Sequence, residues 1–302
     1  MSDQFPIFNV PADAAEAEEA MGTKFKFWFQ HPELGNCLFK QARSNTGEDW
    51  AEKIAAELAQ LLGVPHARCE LATWNERPGT ISPAMVPENA SLIHGNDILA
   101  RLVSSYPRSQ GYNVSEHTLD IVLQAISDPV VNLPLDWIPP NGITTAIDTF
   151  VGYLLLDAWI GNGDRHHENW GFIATIDQAV HLSPTYDHAS SLGRELLDSK
   201  RQERIHNNSV TAYTNRARSA FYAQPGDKKS LFTLDVFTEV ARRYPNAARV
   251  WLEQLAQITS ANTQELLTRI PLARISSVAV EFAHQVLNIN QSRLLCLQEE
   301  LL

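Results

Sequence analysis

Charged and aromatic residues alternate from Lys24 to Phe29 (KFKFWF), and the run Asn36–Lys40 (NCLFK) follows after His31, Pro32 and Gly35. Period-two alternation around a Pro/Gly turn predicts a β-hairpin. Thr46 and Asp49 stand at capping-box spacing, and Ile54, Leu58, Leu61 and Leu62 then recur at helical spacing until Gly63 and Pro65 end the run. Two short β-like runs follow, Arg68–Trp74 and Thr80–Val86, separated by a turn cluster of Asn75, Pro78 and Gly79. Residues 1–90 therefore read β-β-α-β-β, a small mixed lobe, with its boundary near Pro87–Gly95.

From Asp97 the pattern turns helical, and residues 91–302 read as a larger helical lobe. Ile147, Val151, Leu154, Leu155 and Trp159 mark one face of a helix that must stop at Gly161-Asn162-Gly163. Trp170–Ala174 and Ala179–Leu182 predict two short strands around a Thr175–Gln178 turn, after which the chain reads as helical to Leu302.

Of the 302 residues, 44% are apolar and 20% charged, which predicts a folded chain rather than a disordered one. The net charge of −11 argues against a protein whose main task is gripping phosphate backbones. Cys37, Cys69 and Cys296 are scattered, without zinc or redox spacing. The acidic N-terminus lacks the signature of a signal peptide, and Phe150–Ile160 falls short of the ~20 apolar residues that a spanning helix needs. A cytoplasmic protein without membrane or direct nucleic-acid contacts is expected.

The densest polar cluster, residues 161–169 (GNGDRHHEN), lies between the buried helix and the second hairpin. Beyond that hairpin, residues 182–187 (LSPTYD) return a second carboxylate. Phosphoryl transfer needs a carboxylate to orient the attacking hydroxyl, and a carboxylate with an amide oxygen to hold divalent metal. Asp164, Asp187 and Asn169 fill those roles in that order, and Lys40, at a strand end, supplies a cation for the phosphates. Glu52 on the following helix is placed to pair with Lys40, with Glu57 as its rival.

The run Asp164-Arg165-His166-x-x-Asn169 followed by Tyr186-Asp187 resembles the HipA-type bacterial toxin kinases and, more distantly, the phosphatidylinositol kinases. The resemblance implies an α+β, two-lobed protein-kinase-like fold, with a small β-rich N-lobe and a larger, mostly helical C-lobe. ATP and Mg²⁺ would lie between the lobes, and a serine or threonine hydroxyl of a protein would accept the γ-phosphate. Residue by residue, it makes Asp164 the catalytic acid/base, His166 the steadying loop histidine, and Asn169 and Asp187 the metal ligands. Lys40 becomes the phosphate-binding lysine with Glu52 its partner, and backbone near Met85 and Val86 contacts adenine. It also implies an antitoxin-like protein partner.

This chain departs from that pattern in three ways. Only about twenty residues precede Gly22, where HipA carries a further N-terminal subdomain. The phosphate loop is no G-x-G-x-x-G, and its nearest counterpart is Met21-Gly22-Thr23-Lys24, in which a phosphorylated Thr23 would obstruct ATP. Glu168 stands where kinase loops often carry lysine, an acid that repels phosphate unless metal or Arg165 compensates.

Four alternatives stand beside this reading. His166, His167, His181 and His188 could form the metal cluster of a phosphoesterase. A small-molecule or lipid kinase would use the same residues, and a nucleotide-sensing protein would keep the fold without turnover. Asp164 and Asn169 could also be no more than turn residues. Arg201, Arg204, Arg216, Arg218, Lys228 and Lys229 form either a solvated face or a docking patch for an acidic partner.

Overall fold

The structure, a computed structural model, describes residues 3–14, 17–18 and 25–301. Met21, Gly22, Thr23 and Lys24, the expected phosphate loop, lie outside the described residues. The expected hairpin forms as β3 (Lys26–His31) and β4 (Gly35–Gln41). Around it a six-stranded sheet adds β1 (Ile7–Val10), β2 (Ala17–Glu18), β5 (Glu70–Trp74) and β6 (Arg77–Pro83), in the order β1-β5-β6-β4-β3-β2. Strand β1 pairs parallel with β5 and the other pairs are antiparallel.

Alternation decides what each face of this sheet does. Phe27, Phe29, Cys37, Phe39 and Ile81 turn to one side and bury one another. Their neighbours Lys26, Trp28, Leu38, Lys40 and Thr80 turn to the other, where they line a cleft. The register places Lys40 opposite Lys26 and Thr80. The turn before β6 differs from expectation, because Asn75 and Glu76 take the left-handed backbone that a tight hairpin needs, with φ of 48° and 63°. Pro78 and Gly79 lie inside the strand, and a Cβ on Gly79 would come within 2.3 Å of the Lys40 carbonyl oxygen.

Helix α1 (Glu48–Leu62) ends at Gly63 in the left-handed conformation, as expected. Its start does not use the Thr46–Asp49 capping box. Gly47 is the N-cap, with the Trp50 indole lying where a Cβ would be, and Thr46 instead hydrogen-bonds the Arg43 carbonyl at 2.8 Å. Asp49 accepts from Arg274 at 2.8 Å. Trp50, Ile54 and Leu58 join the same buried cluster as Phe150 and Trp159, whereas Leu61 faces solvent.

A second sheet, in the order β7-β9-β10-β8, combines β7 (Ser91–His94), β8 (Val131–Asn132), β9 (Gly171–Ala174) and β10 (Val180–Leu182). The hairpin β9–β10 is the expected one. Strands β7 and β8 fall in a stretch read as loop and helix, which also holds α2 (Gly95–Leu102) and α3 (Leu119–Ile126). Helix α4 (Ala146–Ile160) starts at a reciprocal Thr145–Asp148 capping box and ends at Gly161, φ 68°. It is apolar almost all round because it is buried all round. Helices α5 (Asp198–His206), α6 (Val210–Thr214), α7 (Thr233–Arg243), α8 (Pro245–Gln257), α9 (Ser260–Thr268) and α10 (Ser277–Leu301) follow. Irregular segments at 183–197 and 215–232 interrupt what was expected to be helical.

Helix α8 packs on α4 at Gly152, where an added Cβ would lie 2.6 Å from the Trp251 ring. That ring is fully buried, and its Nε1 donates to the Asp148 carbonyl at 2.7 Å, so it cannot give way cheaply. Gly152→Ala gains about 1 kcal/mol of helix propensity, but overpacking costs about 1–3 kcal/mol. The expected outcome is a net loss of stability, read as a lower urea midpoint with unchanged m-value.

Candidate active site

Helix α4 carries the site. Asp157, one turn before its end, holds the fully buried Arg165 with two parallel bonds, Nε to Oδ2 at 2.8 Å and Nη2 to Oδ1 at 2.7 Å. Burial works against a charged guanidinium, but Asp157 outweighs it and keeps Arg165 protonated. The remaining nitrogen, Nη1, donates to the carbonyls of Asn169 at 2.9 Å and Tyr186 at 3.4 Å. Asn162 bridges Asp157 and the Asp164 amide, at 2.8 and 3.1 Å. From the same helix, Tyr153 donates to the Ser183 carbonyl at 2.9 Å. One helix thus positions both polar segments, 161–169 and 182–187.

Asp164, His166, Asn169, Asp187, Lys40, Glu52, Met85 and Val86 all line one cleft of about 540 Å³ between the first sheet and the loop after α4. Asn169 Nδ2 donates to the Asp164 carbonyl at 2.7 Å, which commits the amide nitrogen and leaves Oδ1 as an acceptor. Asp187 takes a left-handed backbone, φ 59°, and its Oδ2 accepts from Lys40 Nζ at 3.1 Å. His166 Nε2 stands 3.8 Å from Asp164 Oδ1, while its Nδ1 accepts the Glu168 amide at 3.2 Å. The donor set suits Mg²⁺, which takes one or two carboxylates and fills its other positions with phosphate and water oxygens.

Several expectations need correction. Glu52 does not form the close partner of Lys40. Its Oε1 accepts from the His188 amide at 2.9 Å and lies 3.6 Å from His188 Nδ1. Glu52 still acts on Lys40 through space: burial works against both charges, yet Asp187 and Glu52 hold the Lys40 ammonium above its ordinary pKa, and His188 and Lys40 hold Glu52 below its own. Glu57 belongs to Lys53, at 2.6 Å. Arg165 is sealed beneath the loop and bonded to Asp157, whereas Glu168 is one of the residues that line the cleft.

The four histidines do not gather. His181 meets the Leu133 carbonyl at 2.8 Å and His188 meets Thr185 Oγ1 at 2.7 Å, and among the described residues no three metal-binding side chains are grouped to hold an ion. The basic patch is also smaller than its sequence. Arg201 is buried against Asp198 and the Gly193 carbonyl, Arg204 lies on Tyr213, and Arg218 lies on Phe232.

A polar chain unmarked in the sequence reaches Asp164 from α1. Ser190 Oγ donates to Asp164 Oδ2 at 3.3 Å, Arg194 to Ser190 Oγ at 3.0 Å and to Glu48 Oε1 at 2.9 Å, and the Arg43 guanidinium to the same Glu48 oxygen at 3.0 Å. Glu48 is buried. No periodicity singles these residues out, since each meets its partner only through the fold.

No protein-family model and no curated protein sequence matches this chain. Solved structures do. A proinflammatory kinase of Helicobacter pylori, CtkA, superposes with a TM-score of 0.76 at 17% identity over 98% of both chains. HipA of Shewanella oneidensis MR-1, solved with HipB and operator DNA as a toxin–antitoxin system, superposes with a TM-score of 0.58 at 12% identity, over 94% of this chain and 67% of that one. The chain has the two-lobed α+β kinase-like fold of these proteins.

Two outcomes follow from the buried groups. Asp157→Ala strands the Arg165 charge and is expected to cost about 3–5 kcal/mol, whereas the double change Asp157→Leu with Arg165→Met is expected to cost far less, measured by urea denaturation. Burial holds the His117 and His167 imidazoles down to about 3 and about 4, against an ordinary 6.5. The unfolded chain therefore binds protons that the folded chain does not, so stability is full above pH 6.5 and falls as pH drops toward 4. Each histidine adds a slope approaching about 1.4 kcal/mol per pH unit, and His117→Gln with His167→Gln should flatten the curve between pH 6.5 and 5.

Proposed function

We propose that this protein is an ATP-dependent kinase that transfers the γ-phosphate to a serine or threonine hydroxyl of a protein. The observation that carries this reading is the convergence of Asp164, Asn169, Asp187 and Lys40 in a single cleft, within a chain whose fold is that of two kinases. A volume of about 540 Å³ is in the range of nucleotide-sized sites. Adenine would lie along the connection at Met85 and Val86, and Lys40 would exchange its contact with Asp187 for the nucleotide phosphates.

Asn169 Oδ1 and the Asp187 carboxylate would hold Mg²⁺. When bound, the ion neutralises the charge that builds on the transferring phosphoryl group. Asp164, fixed by Ser190 and by its own backbone contacts, orients the acceptor hydroxyl and takes its proton. A protein acceptor and an antitoxin-like partner are drawn from the likeness to HipA-type kinases. A cytoplasmic setting fits the described residues, none of whose helices is long and apolar enough to cross a membrane.

Glu168 favours a second reading. It lines the same cleft as Lys40 and Asp187, where its negative charge would weaken nucleotide binding and slow turnover, as in a nucleotide-sensing protein.

Transfer of label from γ-labelled ATP with Mg²⁺, with the protein itself and a bacterial lysate as acceptors, tests the first reading. Asp164→Ala is expected to lower the rate about 10²–10⁴-fold without loss of ATP binding. Asp187→Ala should abolish transfer, and Glu168→Gln should lower the KM for ATP. ATP binding by calorimetry without transfer would support the sensor, and no ATP binding would sink both.

A further inference from the structure

A second cavity, of about 120 Å³, meets the nucleotide cleft at Asp164, His166 and Tyr112, which line both. Ser219, Ala220, Tyr222 and Ser230 also line it, together with His117 and His167. This lining is built in: Tyr222 donates its amide to the His117 carbonyl at 3.1 Å, and the His117 ring lies 2.9 Å from the Ala220 carbonyl. Gly163 admits this segment, since a Cβ there would stand 2.9 Å from the Arg218 carbonyl oxygen. The two spaces therefore adjoin at the same residue, Asp164. Phosphoryl transfer needs an acceptor site next to the nucleotide site, with one base beside the acceptor hydroxyl.

The chain segment that supplies Ser219, Ala220 and Tyr222 to this cavity departs from the rest of the molecule in charge. In a chain of net charge −11, residues 216–229 hold Arg216, Arg218, Lys228 and Lys229 against the single acid Asp227. Arg218 is committed to the Ser230 carbonyl and the Phe232 ring. Arg216, Lys228 and Lys229 are exposed, and the two lysines directly precede Ser230, which lines the cavity. Asp164 repels a carboxylate from the interior, so a neutral hydroxyl enters while acidic neighbours stay outside, near the exposed lysines that precede Ser230.

We propose that this second cavity is the acceptor site, and that it takes a serine- or threonine-bearing peptide flanked by acidic residues. This rests on the kinase reading above. In the step, the peptide hydroxyl oxygen forms a bond to the γ-phosphorus of ATP, and the bond from that phosphorus to the β–γ bridging oxygen breaks. ADP leaves with that electron pair, and the hydroxyl proton passes to Asp164.

The test measures binding of two fluorescein-labelled peptides by anisotropy, each with a central serine, one flanked by aspartate and glutamate and the other by lysine. The acidic peptide is expected to bind at least about tenfold more tightly, because Arg216, Lys228 and Lys229 are exposed cations that can pair with its carboxylates. The preference should shrink as salt rises. Lys228→Glu with Lys229→Glu, on an exposed loop, should remove it while the ATP affinity measured by calorimetry stays unchanged. Ala220→Trp, which fills the cavity, should weaken both peptides. Equal binding of the two peptides, or a preference that survives the charge reversal, overturns the proposal. Acidic-peptide binding without phosphate transfer from ATP would keep the peptide site and overturn the kinase reading instead.

Discussion

The buried pair of Asp157 and Arg165 is the contact on which the rest of the site depends. Neither charge could stay in so dry a place alone, because desolvating an ion costs several kcal/mol. Together they satisfy each other, and the guanidinium still has donors left for the carbonyls of Asn169 and Tyr186. A single side chain therefore fixes the distance between the loop that holds Asp164 and Asn169 and the segment that ends in Asp187. Because Asp157 belongs to α4, packed on every side, the rigidity of the large core passes directly into the cleft.

The sheet contributes the opposite wall by a simpler rule. Strand alternation sends Phe27, Phe29 and Phe39 into one small apolar cluster, so Lys40 must point to the other face. There it meets Asp187 across the cleft. Helix α1 adds a second connection, because the chain Arg43–Glu48–Arg194–Ser190 joins its first turn to Asp164. The Gly47 amide also donates to the Arg194 carbonyl at 2.9 Å. The position of α1 and the orientation of the Asp164 carboxylate are thereby linked through hydrogen bonds and ion pairs.

Much of the local structure was legible because its causes are local. The β3–β4 hairpin follows from alternation around a turn, the end of α1 from Gly63, and the end of α4 from Gly161. The clustering of Asp164, His166 and Asn169 likewise needs only a short loop between two core elements. Strands β1 and β8 were not legible, since they are short and pair parallel with distant segments. The expected Thr46–Asp49 cap failed for a related reason: Trp50 occupies the space over Gly47, and Arg274, far along the chain, claims Asp49.

By itself, the sequence determined the β3–β4 and β9–β10 hairpins, the ends of α1 and α4, and which polar residues could do phosphoryl chemistry, because periodicity, turn residues and motif spacing act over a few positions. Only the tertiary structure decided who meets whom: Lys40 with Asp187, Glu52 with His188, Arg165 with Asp157, and the second cavity beside Asp164. The pairings of Glu52 and Arg165 are settled by burial. A charge taken out of water selects the partner that the surrounding packing delivers, and packing is a property of the whole chain.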